Sequence, residues 1–295
     1  MSSSRCPNPK PTKKTRSSYP PISNPLQTAL SQSEYSKNRV TGLDFTEFIK
    51  LNIAPERFVK SNDFGEYNLE GIFKECGLDK FISARHKIDD VHPEILAMFY
   101  ANIKREGEKN KIVTYIHRVQ LIVSIRELEE ILELPYSGMR LEEVEIENDK
   151  YKEIIAKSNS PSKVEYKYLT SLGKIISRIV SYNILPKTGS YTHISNDQFK
   201  AMYAIVKHIE VNWARVIYEI IKTKPSHFLS FPKTIIKLLK ANKISLSGKG
   251  KTHEKVIDYS MIKRMGLDRE DRDEEDEENP ETPMPSNTQP SSSTT

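Results

Sequence analysis

Apolar and polar residues alternate at recognisable periods along the chain, most clearly between residues 95 and 135. Ile95, Phe99 and Ile103 fall on one face of a predicted helix, the spacing of a buried stripe. Residues 112–123 are rich in β-branched side chains, and apolar residues there alternate with polar ones. That pattern predicts a small β element, either a strand pair or one long bent strand.

Two serine residues have the sequence context of helix starts. Ser124 is followed three residues later by Glu127, the spacing of a capping box, and Pro135 ends the helix so begun. Ser195 and Gln198 repeat the arrangement farther along. Each pair predicts the first turn of a helix.

The chain after residue 163 has helical periodicity throughout. Apolar stripes there are typical of packed helices and comprise Leu169, Leu172, Ile175, Ile176, Ile179 and Val180; Phe199, Met202, Tyr203, Val206 and Ile209; Trp213, Val216, Ile217, Ile220 and Ile221; and Ile235, Leu238 and Leu239. Residues 141–155 predict an acidic, weakly amphipathic helix. The predicted fold class is therefore α+β and predominantly α-helical, with a small β element near 112–123 and a helical C-terminal half.

Several of these segments resemble a known family. They are the FYANI run at residues 99–103, the valine-rich strand after it, the pattern from Ser124 to Pro135, the Ile-Leu-Pro at 184–186, and Phe231-Pro232 before the last stripe. Together they resemble the Putative plant transposon protein domain, found in plant genomes around retroelement-derived reading frames. The resemblance covers about residues 45–244. It implies a shared fold and supplies no catalytic residues to carry over.

Composition and charge divide the chain into four predicted parts. Residues 1–38 are predicted to be a disordered basic arm, 39–157 an α+β subdomain, 163–246 a helical subdomain packed on it, and 247–295 a disordered tail with an acidic run. Residues 158–162 are the predicted linker. The acidic run, 268–281, carries a net charge of −8 in a chain whose total is +5. The remaining basic body could attract phosphate backbones or rest against this tail.

The chain's cellular setting follows from its apolar runs and cysteines. No run approaches the roughly 18 apolar residues of a membrane helix, and the N-terminus does not have the pattern of a secretory signal. Cys6 and Cys76 are the only cysteines, and we expect no disulfide between them. An intracellular location is therefore predicted. It is nuclear if the basic cluster with Lys13, Lys14 and Arg16 is an import signal instead of a phosphate-contacting arm or an ordinary solvated segment.

Chemistry-bearing motifs are sparse. The histidines are scattered and lack the paired spacing of a zinc site, so neither a metal nor another cofactor is predicted. Residues 247–252 resemble a phosphate-binding loop only superficially, since Ser245 stands where that loop needs its first glycine. The acidic residues and His92 between positions 89 and 94 are interpreted as a charged loop before a helix. We therefore expect no enzymatic activity.

Three lysines at helical spacing are the candidate contact for nucleic acid. Lys233, Lys237 and Lys240 share one face of the last predicted helix and, with Lys13, Lys14 and Arg16, could grip phosphates. The alternative is an ordinary solvated face opposite an apolar stripe. The leading hypothesis is a non-catalytic, retroelement-derived structural or interaction domain that binds a protein partner or itself. A nuclear nucleic-acid-binding protein is the second.

Overall fold

Helices make up most of the described secondary structure. The computed structural model describes residues 45–54, 56–83, 90–104, 110–117, 119–147, 154, 164–223, 225–246, 250 and 255–264. The helices are α1 (Phe45–Phe48), α2 (Leu69–Glu75), α3 (Asp79–Ile82), α4 (Pro93–Ala101), α5 (Ile125–Leu132), α6 (Ser171–Ile179), α7 (Asn196–Val206), α8 (Trp213–Lys222), α9 (Pro232–Ala241) and α10 (Tyr259–Arg264). A π-helical segment, Val180–Ile184, continues α6, and 3-10 turns cover Ser61–Tyr67, Leu141–Glu143 and Tyr166–Tyr168. The prediction of an α+β, predominantly helical fold is confirmed.

Short strands form three small pairs. They are β1 (Asn52–Ile53) with β5 (Phe228–Leu229), β2 (Phe58–Val59) with β6 (Val256–Ile257), and β3 (Lys111–Ile116) with β4 (Val119–Ser124). The first two pairs are parallel and the third is an antiparallel hairpin. Of the two forms predicted for residues 112–123, the strand pair is correct. The parallel pairs join segments of the chain that are far apart in sequence.

Helix α4 lies at the centre of the described fold, where it packs against α1, β3, β5 and α9. All its residues from Ile95 to Ala101 are buried. The Tyr100 hydroxyl lies 3.0 Å from the carbonyl oxygen of Ser230, to which it donates, and Thr114 Oγ1 donates to the Phe99 carbonyl at 2.8 Å. Because buried polar groups need partners, these bonds satisfy the hydroxyls that the apolar helix brings inside.

Both predicted capping boxes are present. Glu127 N donates to Ser124 Oγ at 3.1 Å, and Ser124 N donates back to a Glu127 carboxylate oxygen at 2.7 Å. The Ser195–Gln198 pair has the same reciprocal bonds at the start of α7. These bonds satisfy backbone donors that a helix start would otherwise leave unpaired.

The predicted acidic helix at 141–155 is wrong for its described part. A single 3-10 turn spans Leu141–Glu143, and Val144 is extended with φ −66° and ψ 116°. The carbonyl oxygen of Glu142 accepts a bond from Lys200 Nζ on α7. A tertiary contact therefore occupies an acceptor that a continuing helix would use for its own ladder.

The tail predicted to start at residue 247 includes ordered structure. Phe58 N donates to the Lys255 carbonyl and Lys60 N to that of Ile257, each at 3.0 Å, and Ile257 and Ile262 are fully buried. The disorder prediction is therefore wrong for residues 255–264. The described residues belong to one compact unit. The predicted basic arm 1–38, the linker 158–162 and the acidic run 268–281 lie outside the described residues.

Candidate functional site

Helix α9, which carries the predicted lysine row, starts in an unusual way. Phe231 precedes it with a left-handed backbone, φ 49°, and Pro232 occupies its first position. The Glu56 carboxylate, from a distant part of the chain, accepts bonds from the backbone N–H groups of Lys233 and Thr234, the latter at 3.0 Å. Thr234 Oγ1 donates to its second oxygen at 2.6 Å. Glu56 therefore caps α9 from outside the helix.

Burial raises the pKa of the Glu56 carboxyl above its ordinary value of 4.5, while the bonds from Thr234 and Lys233 and the Lys233 charge oppose that rise. Glu56 is itself buried. An ionised carboxylate is costly in such a place unless donors surround it, and the start of α9 supplies them. This contact is structural.

The predicted lysine row is only partly a solvated face. Lys233 and Lys237 are half-buried, whereas Lys240 is exposed. Partial burial lowers the pKa of Lys237, with the nearby Glu133 carboxylate opposing it. The remaining predicted contacts, Lys13, Lys14 and Arg16, lie outside the described residues. Of the six predicted contacts, the described part of the chain shows Lys240 alone as exposed.

The edge of the hairpin that belongs to β3 is covered. Carbonyl oxygens along this edge accept bonds from other parts of the chain: Lys111 from Lys222 Nζ at 3.2 Å, Val113 from the backbone N–H of Lys104 at 2.8 Å, and Tyr115 from the side-chain amide of Asn102 at 2.9 Å. Strand β3 therefore has its acceptors satisfied on that side.

The edge that belongs to β4 is open within the described part of the chain. Val113 directs its carbonyl away from β4, so its cross-strand partner Ile122 directs its own backbone groups away from β3. The two-residue period gives Gln120 the same direction. Side chains on this strand are also exposed, Ile122 to 45% and Val119 to 53%. An open edge with exposed apolar side chains is a template for another strand.

A second feature is a cluster of cations and tyrosines around the π-helical segment, here called the cation–tyrosine cluster: Arg57, Tyr166, Arg178, Tyr182, Lys187 and Tyr191. The Arg57 guanidinium carbon lies 3.8 Å from the centroid of the Tyr182 ring, and that of Arg178 lies 4.0 Å from Tyr166. The rings of Tyr182 and Tyr191 contact each other, with centroids 5.1 Å apart. Stacking of this kind favours a guanidinium over a lysine ammonium.

Tyr191 lies among the cations of the cluster. Arg178 and Lys187 are 5.1 and 5.5 Å from its ring centroid. Its hydroxyl donates to the Lys187 carbonyl at 2.9 Å. Burial, with the Tyr182 ring beside it, raises the pKa of Tyr191 to about 12 despite the opposing charges of Arg57 and Arg178. The phenol is therefore neutral and serves as a stacking surface.

The cluster was missed in the sequence because Arg57 comes from a distant part of the chain and the stacking of the other five side chains depends on how residues 166–191 fold back on themselves. One local signal existed: Arg178 stands between Ile175, Ile176, Ile179 and Val180, which the sequence predicts to be buried. A cation amid these residues is a candidate for burial, and Arg178 is only 5% exposed.

Cys76, His92 and Glu94 have side chains of types that catalyse reactions in other proteins, and the structure describes all three. The Cys76 thiol donates to the Ile205 carbonyl at 3.3 Å, and burial raises its pKa to about 12, so it stays protonated. His92 and Glu94 stand at the start of α4, as the interpretation of a charged loop before a helix expects. Among the described residues, His, Cys, Asp and Glu side chains do not gather in a group that could hold a metal ion.

Comparisons with known proteins give one match. A family model described as Putative plant retrotransposon-related domain matches residues 74–245. This range includes the hairpin, α9 and most of the cation–tyrosine cluster, while Glu56 and Arg57 precede it. Neither the curated proteins nor the solved structures gave a match. No helix in the described ranges has both the length and the apolar character of a bilayer-spanning segment.

Proposed function

Because the chain belongs to the plant retrotransposon-related family, we propose that it is a retroelement-derived, non-catalytic interaction domain whose partner is a second copy of itself, joined through β4. The observation that carries the proposal is the asymmetry of the hairpin. One edge is covered by Lys104, Asn102 and Lys222, whereas the other keeps outward backbone groups at Gln120 and Ile122.

A second copy suits this edge for a geometric reason. Two identical strands related by a twofold axis pair antiparallel, and each then offers the other the same donors, acceptors and side chains. Ile122 of each copy would contact side chains of the other copy on one face of the joined sheet, and Val119 would do so on the opposite face. Burial of exposed apolar side chains stabilises the pair by about 25 cal/mol for each Å² removed from water.

The association should be weak. A joint made by one short strand from each copy falls at the low end of interface sizes, below about 1,200 Å², where complexes are transient. Edges of this kind are also easily blocked by a charged side chain. The joint is therefore expected to respond to concentration and to single substitutions.

Sedimentation velocity of the full chain over a range of concentrations tests this proposal. We expect the weight-average mass to rise toward that of a dimer as concentration increases, and Ile122→Lys to hold the chain monomeric. Ile49→Lys is the matched control, since Ile49 is also an exposed apolar residue, at 36%, but lies just after α1. A wild-type chain that stays monomeric up to several hundred micromolar contradicts the proposal, as does equal loss of the dimer in both variants.

Nucleic-acid binding is a second candidate, and one observation favours it. Lys240 and Lys243 are exposed at the end of α9. The chain outside the acidic run has a net positive charge, which the run partly offsets. Such binding should weaken steeply with salt, because each neutralised phosphate releases a counterion. Fluorescence anisotropy with a labelled oligonucleotide at low and physiological salt measures it. Absence of binding at low salt would contradict this second function.

A further inference from the structure

The cation–tyrosine cluster holds more positive charge than its surroundings balance. Arg57, Arg178 and Lys187 form no salt bridge with a carboxylate in the part of the chain that the structure describes. Lys187 Nζ donates instead to the His193 carbonyl at 2.6 Å and to the Gln198 side chain at 3.2 Å. Burial and the neighbouring Arg178 charge lower the pKa of Lys187, so these cations repel one another.

Several buried polar atoms of the cluster lack partners among the described residues, the Tyr166 hydroxyl among them, although Arg178 Nη1 donates to the Tyr191 carbonyl at 3.5 Å and Arg57 Nη1 to Met261 Sδ at 3.2 Å. The Nε atoms of Arg57 and Arg178 and the Nδ2 atom of Asn183 are buried and lack hydrogen-bond partners among the described residues. The side-chain oxygen of Asn183 is already used, because it accepts from Arg57 N at 2.9 Å. Arg178 and Asn183 are only 5% and 4% exposed. Buried donors of this kind are rare in native proteins and call for an acceptor.

The local backbone supports the same interpretation. Val180–Ile184 is π-helical, and such bulges occur frequently at functional sites. The segment places Tyr182 and Asn183 next to Arg57, which comes from a part of the chain 126 residues away. The side chains of Arg57, Lys187 and Tyr191 are half-buried, so each keeps part of its surface in contact with solvent.

We infer that the cation–tyrosine cluster is a binding site for a phosphate-type oxyanion, with Arg57 and Lys187 as its contacts and Arg178 as buried charge beneath them. A phosphate group brings acceptor oxygens for Arg57 and Lys187 and a negative charge that offsets all three cations. The tyrosine rings hold the guanidinium planes in place, so the arginines lose little further freedom on binding. This inference is independent of pairing through β4.

Isothermal titration calorimetry of the full chain with inorganic phosphate tests the inference, against sodium chloride at equal ionic strength. We expect saturable heat from phosphate alone. Arg57→Gln and Lys187→Gln should each weaken binding by about tenfold or more, since each removes a charge-assisted hydrogen bond. Arg215→Gln is the matched control, because Arg215 is also half-buried but lies beside Glu219 at 3.4 Å.

A second titration, with a single-stranded oligonucleotide, identifies the source of the phosphate. Binding far tighter than that of phosphate, and lost in the same two variants, assigns the site to a nucleic-acid backbone. If inorganic phosphate binds but the oligonucleotide does not, the site is assigned to a small phosphate-containing ligand. No binding of either above the chloride control overturns the inference, and so does an equal loss in the Arg215→Gln control.

If circular dichroism shows that the variants do not fold, NMR of the wild-type chain still tests the inference. Buried arginine Nε–H groups give separate ¹⁵N NMR signals, and phosphate should shift them as an acceptor arrives. Signals that stay unchanged at saturating phosphate overturn the inference.

Discussion

Removing the Glu56 carboxylate is the sharpest test of how α9 is held. Glu56→Ala deletes the acceptor for two backbone N–H groups and one hydroxyl, contributed by Lys233 and Thr234. The helix start is buried, so the freed donors have no ready replacement. We expect α9 to lose its cap while the interior stripe of the helix stays intact.

The expected loss of stability can be estimated from those bonds. Replacing a capping residue by alanine costs about 0.5–2 kcal/mol, and each buried donor left without a partner costs about 1–3 kcal/mol. Some relaxation at the helix start will reduce the sum. We therefore expect Glu56→Ala to lower the free energy of unfolding by about 2–4 kcal/mol.

Urea unfolding followed by circular dichroism measures this change. Thr234→Val is the matched control, since it removes the hydroxyl bond alone and should cost about 0.5–1.5 kcal/mol. Glu56→Gln keeps an acceptor oxygen and should fall between the wild type and Glu56→Ala. A loss below about 0.5 kcal/mol for Glu56→Ala would refute the capping role, as would a loss no larger than that of Thr234→Val.

The pH dependence of the same variants follows from the raised pKa of Glu56. As pH rises, the Glu56 carboxyl ionises near pH 4.5 in the unfolded chain but only at a higher pH in the folded chain. The contribution of Glu56 to stability is therefore fully present below pH 4.5 and is lost as pH rises through the folded pKa. Relative to the wild type, Glu56→Gln should gain stability as pH rises from about 4.5. An unchanged difference across that range would contradict the assigned direction.

Three further predictions concern burial. Leu132→Ala should cost about 2–5 kcal/mol in urea unfolding because Leu132 is only 2% exposed, and a loss below 1 kcal/mol would place it at the surface. Lys237→Glu should lower the melting temperature because it puts a second carboxylate near Glu133 in a half-buried place. Lys240→Glu, at an exposed position, should change the free energy of unfolding by less than about 0.5 kcal/mol. Equal effects of the two substitutions would contradict this contrast. The Cys76 thiol should react with a thiol reagent at the rate of unfolding, and rapid reaction of the native chain at that residue would contradict its burial.

Local interactions account for what could be read from the sequence. The Ser124–Glu127 and Ser195–Gln198 capping boxes involve residues three apart, so both partners stand in one short window. Helical and strand periods likewise repeat within a dozen residues, which is why a helix with Ile95 and Phe99 on one face and a β element at 112–123 were predicted where α4 and the hairpin are observed. The family resemblance could be recognised as well, because it rests on core motifs of the same local kind, and the family match agrees with it.

Contacts between distant residues decided the rest. Strands β1, β2, β5 and β6 have two residues each, too few to show a period, and they pair only because the folded chain brings their backbones together. Glu56 caps a helix 177 residues away, and Arg57 stacks on Tyr182, which is also far from it in the sequence. Which of two lysines on one helix face is exposed, and which carboxylate is buried, depends on neighbours from elsewhere in the chain. Burial and charge pairing are properties of the packed structure, and no local window contains them.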